Sequence, residues 1–89
     1  MRYIYMVRCA DNSLYTGITT DLDRRIHEHN TSLTWAKYTK YKRPVELAWS
    51  QSVPNRSRAS KIEYHIKQKT KQEKEVLIHT KENISLDSL

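Results

Sequence analysis

The sequence contains one cysteine, one glycine, two prolines and no phenylalanine. With Cys9 alone no internal disulfide can form, so a cytoplasmic location is the default expectation. No apolar run approaches the length of a membrane span, and the N-terminus carries no signal-peptide pattern. There are no repeats and no linker. Acidic residues are also in deficit, ten against sixteen Lys and Arg, giving a net charge of +6 and a sequence pI near 9.6. Such a balance fits a polyanion partner, either nucleic acid or an acidic surface, and gives no reason to expect a membrane.

What remains is an 89-residue chain with 37% hydrophobic residues, enough for one domain with a single modest core. Residues 3–9 alternate and are rich in Tyr, Ile and Val, which reads as a strand. Ala10, Asp11 and Asn12 form a turn in which Asn12 can take the left-handed conformation. A second strand returns over residues 13–19. A two-residue loop would put Tyr5 and Tyr15 on opposite faces, whereas a three-residue loop pairs odd positions with odd ones. The second register leaves Ile4, Met6, Leu14 and Ile18 on one apolar face and Tyr3, Tyr5, Val7, Tyr15 and Gly17 on the other. It is the register expected here.

Thr20 is the expected cap of a first helix, with Asp21 and Asp23 in its first turn, where negative charge suits the helix dipole. Leu22, Ile26 and Leu33 mark its apolar side. Helical spacing puts Arg25 and His29 beside Leu22 and Ile26, towards the sheet, and turns Arg24, His27 and Glu28 away. Residues 34–44, TWAKYTKYKRP, alternate cations with Trp and Tyr and predict a loop or short helix. Pro44 opens a third strand with Val45, Leu47 and Trp49 expected on one face. Pro54-Asn55 breaks the chain before a helix over about residues 56–69, whose stripe is Ala59, Ile62 and Ile66. Thr70 and Glu73 have capping-box spacing for a short last helix carrying Val76 and Leu77. The outline is an α+β fold, β-β-α-β-α-α, over residues 1–82, followed by a polar tail at 83–89.

One residue conflicts with its stripe. Glu63 falls among Ala59, Ile62 and Ile66, and a carboxylate aimed at a core face is costly unless a cation, a metal or hydrogen bonds meet it. It either reaches solvent at the stripe's edge, pairs with Lys67 one turn on, or faces a polar site shared with the tyrosines and Arg25. His27 and His29 are two apart on a helix and diverge, a poor zinc pair. Cys9 has no evident partner to orient it as a thiol nucleophile. Tyr3 reads as a packing or rim residue.

Tyr3-Ile4-Tyr5, Tyr15-Thr16-Gly17, an inward Arg25 and a later helical Glu63, taken in order, resemble the GIY-YIG nuclease superfamily. The stretches LYTGITTDLDRRI and ASKIEYHIKQKTKQEK are similar to its small stand-alone bacterial branch, the YhbQ-like proteins. The resemblance spans nearly the whole chain, with three departures. Tyr3 stands where the first motif opens with glycine, Thr16 occupies the middle of the second, and Ile18 stands where some relatives place a lysine. The resemblance implies a three-stranded antiparallel sheet flanked by helices. It also implies metal-dependent cleavage of phosphodiester bonds, with DNA as the substrate expected and RNA not excluded.

On that footing Glu63 is the candidate ligand for Mg²⁺ or Mn²⁺, since Mg²⁺ is held by few carboxylates, waters and phosphate oxygens. Arg25 would offer paired N–H donors to the phosphate. Tyr15 would be the general base. A free phenol ionises near pH 10, so Arg25 and the metal would have to assist. Tyr5 would orient the water or the metal shell, and Gly17 would leave room for the scissile phosphate. His29 would contact phosphate or shuttle a proton. Trp35, Lys37, Tyr38, Lys40, Tyr41, Lys42 and Arg43 are candidates for phosphate contact and base stacking beside the site. The competing expectations are a nucleic-acid-binding module that keeps the fold without efficient catalysis, and an accessory domain recruited by a protein. A monomer is the default.

Overall fold

The computed structural model of the protein describes residues 1–31 and 43–85. Its elements are β1 (Arg2–Arg8), β2 (Leu14–Thr19), α1 (Leu22–Thr31), β3 (Glu46–Val53), α2 (Arg56–Lys67) and α3 (Lys71–Thr80). The three strands form one antiparallel sheet in the order β2-β1-β3. This is the expected α+β fold with its β-β-α-β-α-α order.

The hairpin closes through Ala10, Asp11 and Asn12. Cys9 N–H donates to the Ser13 carbonyl and Asn12 N–H to the Cys9 carbonyl, each at 2.9 Å. Asn12 has φ 71°, the left-handed conformation that a short amide side chain tolerates. Asp11 Oδ1 accepts from both the backbone N–H and the hydroxyl of Ser13. The register that results pairs Tyr5 with Gly17, Val7 with Tyr15 and Ile4 with Ile18. Odd residues therefore share a face with odd residues.

β1 is the central strand, and both of its faces are covered. Ile4, Tyr5, Met6 and Val7 are all fully buried, so the expected alternation of exposure vanishes along it. One face carries Ile4 and Met6 with Trp49, Val53, Ala59, Ile62, Ile66 and Leu77, sealed by α2 and α3. The other carries Tyr5, Val7, Cys9 and Val45, with Tyr15, Leu22 and Ile26 packed against them under α1.

Three local expectations are corrected. The first helix is capped by Asp21 rather than Thr20: Asp21 Oδ1 accepts from Arg24 N–H at 3.1 Å and the Asp21 carbonyl from Arg25 N–H at 3.0 Å. A carboxylate at this end also meets the helix dipole. Val45, Leu47 and Trp49 do not share a face. The β1–β3 register shifts between Met6 and Val7, where Met6 pairs with Trp49 and Val7 with Leu47. The extra residue, Ala48, is a bulge that reverses the alternation. Val45 thus joins the α1 side, Trp49 joins the α2 side, and Leu47 is 45% exposed. α3 carries Val76 and Leu77 as expected, Leu77 buried and Val76 exposed. α2 ends at Lys67, with Gln68 as its C-cap, two residues short of the expected end.

The Thr70–Glu73 capping box is present in both directions. Arg8 joins α3 to the sheet through a bidentate pair with Glu75, at 2.8 and 2.5 Å. That pairing, with help from Lys71, holds the Glu75 carboxyl down at about 2. Beyond α3 the chain returns to β3: Gln51 exchanges two hydrogen bonds with the backbone of Ile84, and Trp49 Nε1 donates to the Glu82 carbonyl. Leu33 lies outside the described residues.

Candidate active site

The site begins with the hairpin register. Tyr5, Val7, Tyr15 and Gly17 point to the face under α1. The Tyr5 ring lies directly over residue 17, where a Cβ would sit 2.6 Å from the phenol oxygen and 2.7 Å from Cζ. Gly17 has no positive φ, so space rather than backbone conformation requires the glycine.

α1 supplies the next two groups. Arg25 and His29 are four residues apart and fall on the helix face turned to the sheet. Arg25 Nε donates to the Tyr5 hydroxyl at 2.8 Å, and His29 Nε2 lies 2.9 Å from the same oxygen. One phenol oxygen therefore joins both side chains. With Arg25 donating, the phenol proton goes to His29 Nε2, which places the imidazole's own proton on Nδ1.

The electrostatics agree with this assignment. Burial, reinforced by the nearby Arg25 cation, lowers the His29 pKa to about 4, so the imidazole is a neutral acceptor at neutral pH. Burial also raises the Tyr5 pKa, against the opposing pull of Arg25, and keeps the phenol protonated. The tyrosine remains the donor that the neutral histidine needs. Tyr15 completes the cluster, its ring centroid 6.4 Å from Tyr5 and 5.3 Å from His29, edge-on to the imidazole.

Glu63 acts on this group electrostatically, from α2. α2 packs against β2 and β1 on the opposite face, and β2 is an edge strand. A side chain on the flank of α2 can therefore act past that edge. The Glu63 carboxylate is near enough to disfavour ionisation of Tyr5. It is also 3.5 Å from Lys67 Nζ, longer than a good N–H···O bond, with a quarter of its side chain exposed. The Lys67 pair and the polar site thus share one carboxylate, and such a partly exposed pair holds it weakly.

Arg43, expected to contact nucleic acid, sits beside the helix end. Its Nε donates to the His29 carbonyl at 2.6 Å, and its Nη2 is buried with no hydrogen-bond partner among the described residues. Trp35, Lys37, Tyr38, Lys40, Tyr41 and Lys42 lie outside the described residues. Cys9 is buried beside Val7 and Val45 and takes no part in the cluster.

Sequence reasoning missed Asn30. Its amide donates to the Val45 carbonyl at 3.1 Å and accepts from the Val45 N–H at 2.7 Å, clamping the end of α1 to the start of β3. The clamp fixes the helix turn that carries His29. No local signal announces it, because the partner is fifteen residues away.

Among the described residues, no group of three or more His, Cys, Asp or Glu side chains converges. That rules a tetrahedral zinc cage out of this part of the molecule. One partly exposed carboxylate beside hydroxyl groups fits Mg²⁺ or Mn²⁺, ions of oxygen chemistry; Mg²⁺ keeps several waters and takes one or two carboxylates together with phosphate oxygens.

A small α+β domain of order β-β-α-β-α-α, with Tyr5 seated over Gly17 and joined to Arg25 of the first helix, has a nuclease-type fold. The GIY-YIG catalytic domain matches residues 1–76, and the chain belongs to the GIY-YIG family. Its relatives are the UPF0213 proteins. The chain is 49% identical to YhbQ of Salmonella typhimurium over 80 residues, covering 90% of this chain and 79% of that one. It is 43% identical to YazA of Bacillus subtilis over 81 residues, covering 91% and 81%. A solution NMR structure of a UPF0213 protein from Bacillus halodurans superposes with a TM-score of 0.59 at 40% identity, covering 91% of this chain and 86% of that one. A second solution NMR structure, of the protein EF2693 from E. faecalis, gives 0.60 at 37% identity, covering 94% and 92%. Among the described residues no helix is long and apolar enough to cross a membrane.

Proposed function

We propose that the protein is a cytoplasmic, metal-dependent nuclease that hydrolyses DNA phosphodiester bonds in repair or processing. The observation that carries this reading is the buried Arg25–Tyr5–His29 hydrogen-bonded group over Gly17, with Tyr15 and Glu63 at its margin. A binding surface has no need of a neutral histidine and a carboxylate beside an arginine.

In this reading the Arg25 Nε bond to Tyr5 aims the guanidinium, whose N–H donors meet the phosphate and its growing charge in the transition state. Tyr5 is committed to Arg25 and His29 and holds its proton, so it positions rather than abstracts. Tyr15 is then the base, acting as its phenolate: as the water oxygen bonds to phosphorus, the water proton passes to the phenolate oxygen, and the bond from phosphorus to the leaving sugar oxygen breaks, that oxygen taking a proton from solvent water. Gly17 keeps the Tyr5 ring seated low enough to leave that approach open. Glu63 would hold Mg²⁺ or Mn²⁺, which when bound supplies charge neutralisation at the phosphate oxygens.

The test is cleavage of labelled DNA and RNA of several structures with Mg²⁺ or Mn²⁺, by the wild type and by Glu63→Gln. The expected result is collapse of cleavage with binding retained or tightened, because the substitution keeps size and removes a negative charge near the phosphate. Equal activity in two well-folded proteins overturns the assignment of Glu63. One observation favours a second reading, a nucleic-acid-binding module without efficient catalysis: Lys67 stands 3.5 Å from the carboxylate that a metal would need. An inactive wild type that binds DNA would select it.

A further inference from the structure

α2 carries more than Glu63. A helix repeats every 3.6 residues, so Arg56, Ser60, Glu63 and Lys67 lie along one line, and Tyr64 stands beside it, further from the core. Arg56, Ser60, Tyr64 and Lys67 are all exposed. Tyr64 is 68% exposed, although a tyrosine ordinarily buries most of its ring. The helix holds four cations, Arg56, Arg58, Lys61 and Lys67, against one carboxylate, Glu63. Ala59, Ile62 and Ile66 are spent on the core, so this outer line has no packing duty.

We infer that the outer face of α2 is a docking strip for a nucleic-acid strand on its way to Glu63, with Arg56 and Lys67 meeting phosphates and Tyr64 stacking on an unpaired base. The inference rests on the nuclease reading for its direction and adds a surface outside the tyrosine cluster. Charge selects the occupant: a strip with a cation at each end, Arg56 and Lys67, and an aromatic platform between them, on a helix with four cations and one carboxylate, complements a polyanion whose bases have flat apolar faces. Dimension agrees. At 1.5 Å per residue, Arg56 to Lys67 spans roughly 16 Å, about five nucleotide steps at 3.4 Å each. An exposed ring can stack only on a base that is not already paired and stacked, so the strip favours a strand with unpaired nucleotides over an uninterrupted duplex.

The experiment is fluorescence anisotropy without divalent metal, using a labelled single-stranded DNA 20-mer and the duplex of the same sequence. Tyr64→Ala is expected to weaken single-strand binding by about fivefold or more, the effect of losing one stacked base, and to leave duplex binding unchanged. Tyr64→Phe keeps the ring and should bind as the wild type does. Arg56→Ala should lower affinity for both probes and reduce the salt slope by roughly one phosphate contact. Both side chains are on the surface, and thermal melts check the fold. Unchanged single-strand affinity of Tyr64→Ala, an equal loss on duplex, or a wild type that binds neither probe would overturn the strip. A wild type that binds as described yet cleaves nothing would keep the strip and remove the nuclease. Active protein indifferent to both substitutions would do the reverse.

Discussion

Tyr5 and Gly17 face each other across β1 and β2, and the phenol oxygen of the first occupies the space where the second would carry a Cβ. The tyrosine cannot give way, because Arg25 and His29 both hold its hydroxyl and the ring is fully buried. Gly17→Ala is therefore expected to destabilise the fold by about 1–3 kcal/mol, the usual cost of overpacking. Urea unfolding measures it. A wild-type midpoint would show that the ring has room to shift.

Tyr5→Phe removes one oxygen and takes a hydrogen bond from each of two side chains. Arg25 Nε and His29 Nε2 would lose their common hydrogen bond in a buried place, at a cost of about 1–3 kcal/mol. The same substitution releases the Arg25 guanidinium from its aim, so DNA cleavage should fall further than the melting temperature alone explains. Full activity in Tyr5→Phe would mean that Arg25 is oriented by other contacts.

His29 gives the fold a pH dependence with a definite sign. Its pKa is about 4 in the folded protein against 6.5 for an unperturbed histidine. Between these values the unfolded chain binds a proton that the folded chain refuses, so stability is full above pH 6.5 and is lost as pH falls towards 4. The loss is on the order of 3 kcal/mol. Glu75, whose carboxyl is held at about 2 chiefly by Arg8, adds its own loss as pH falls from the ordinary carboxylate value of 4.5 towards 2. Urea titrations from pH 4 to pH 7 on wild type and His29→Gln separate them: the slope between pH 6.5 and 4.5 should flatten in the variant. A slope that survives would belong to other groups.

Arg25→Lys tests geometry against charge. Lysine keeps the cation but cannot donate through Nε to Tyr5 while presenting a planar pair of N–H groups to a phosphate. Cleavage should drop at least tenfold, with DNA affinity reduced less than in Arg25→Ala. Activity equal to wild type would reduce Arg25 to a point charge.

The sequence alone determined what depends on near neighbours. Asn12 could adopt the left-handed conformation within a three-residue loop, and this set the register that places Tyr5 and Tyr15 on one face. The Ala59, Ile62, Ile66 stripe and the Thr70–Glu73 box follow from spacings of three and four residues, and so does the inward turn of Arg25 and His29. The Thr20 cap failed by one residue, because Thr20 and Asp21 can both accept from helix N–H groups and the path out of β2 chose between them. The faces of Val45 and Trp49 failed because a bulge at Ala48 is set by the partner strand, which is forty residues earlier in the chain. Tertiary structure alone decided the rest of the site. The Tyr5 hydroxyl meets His29 across twenty-four residues, Asn30 clamps Val45 across fifteen, and the tyrosine ring closes over Gly17. Each is a contact between residues far apart in sequence that only folding brings together. The depressed basicity of His29 and the raised pKa of Tyr5 arise from burial, and burial is a property of the packed sheet and helix rather than of either residue.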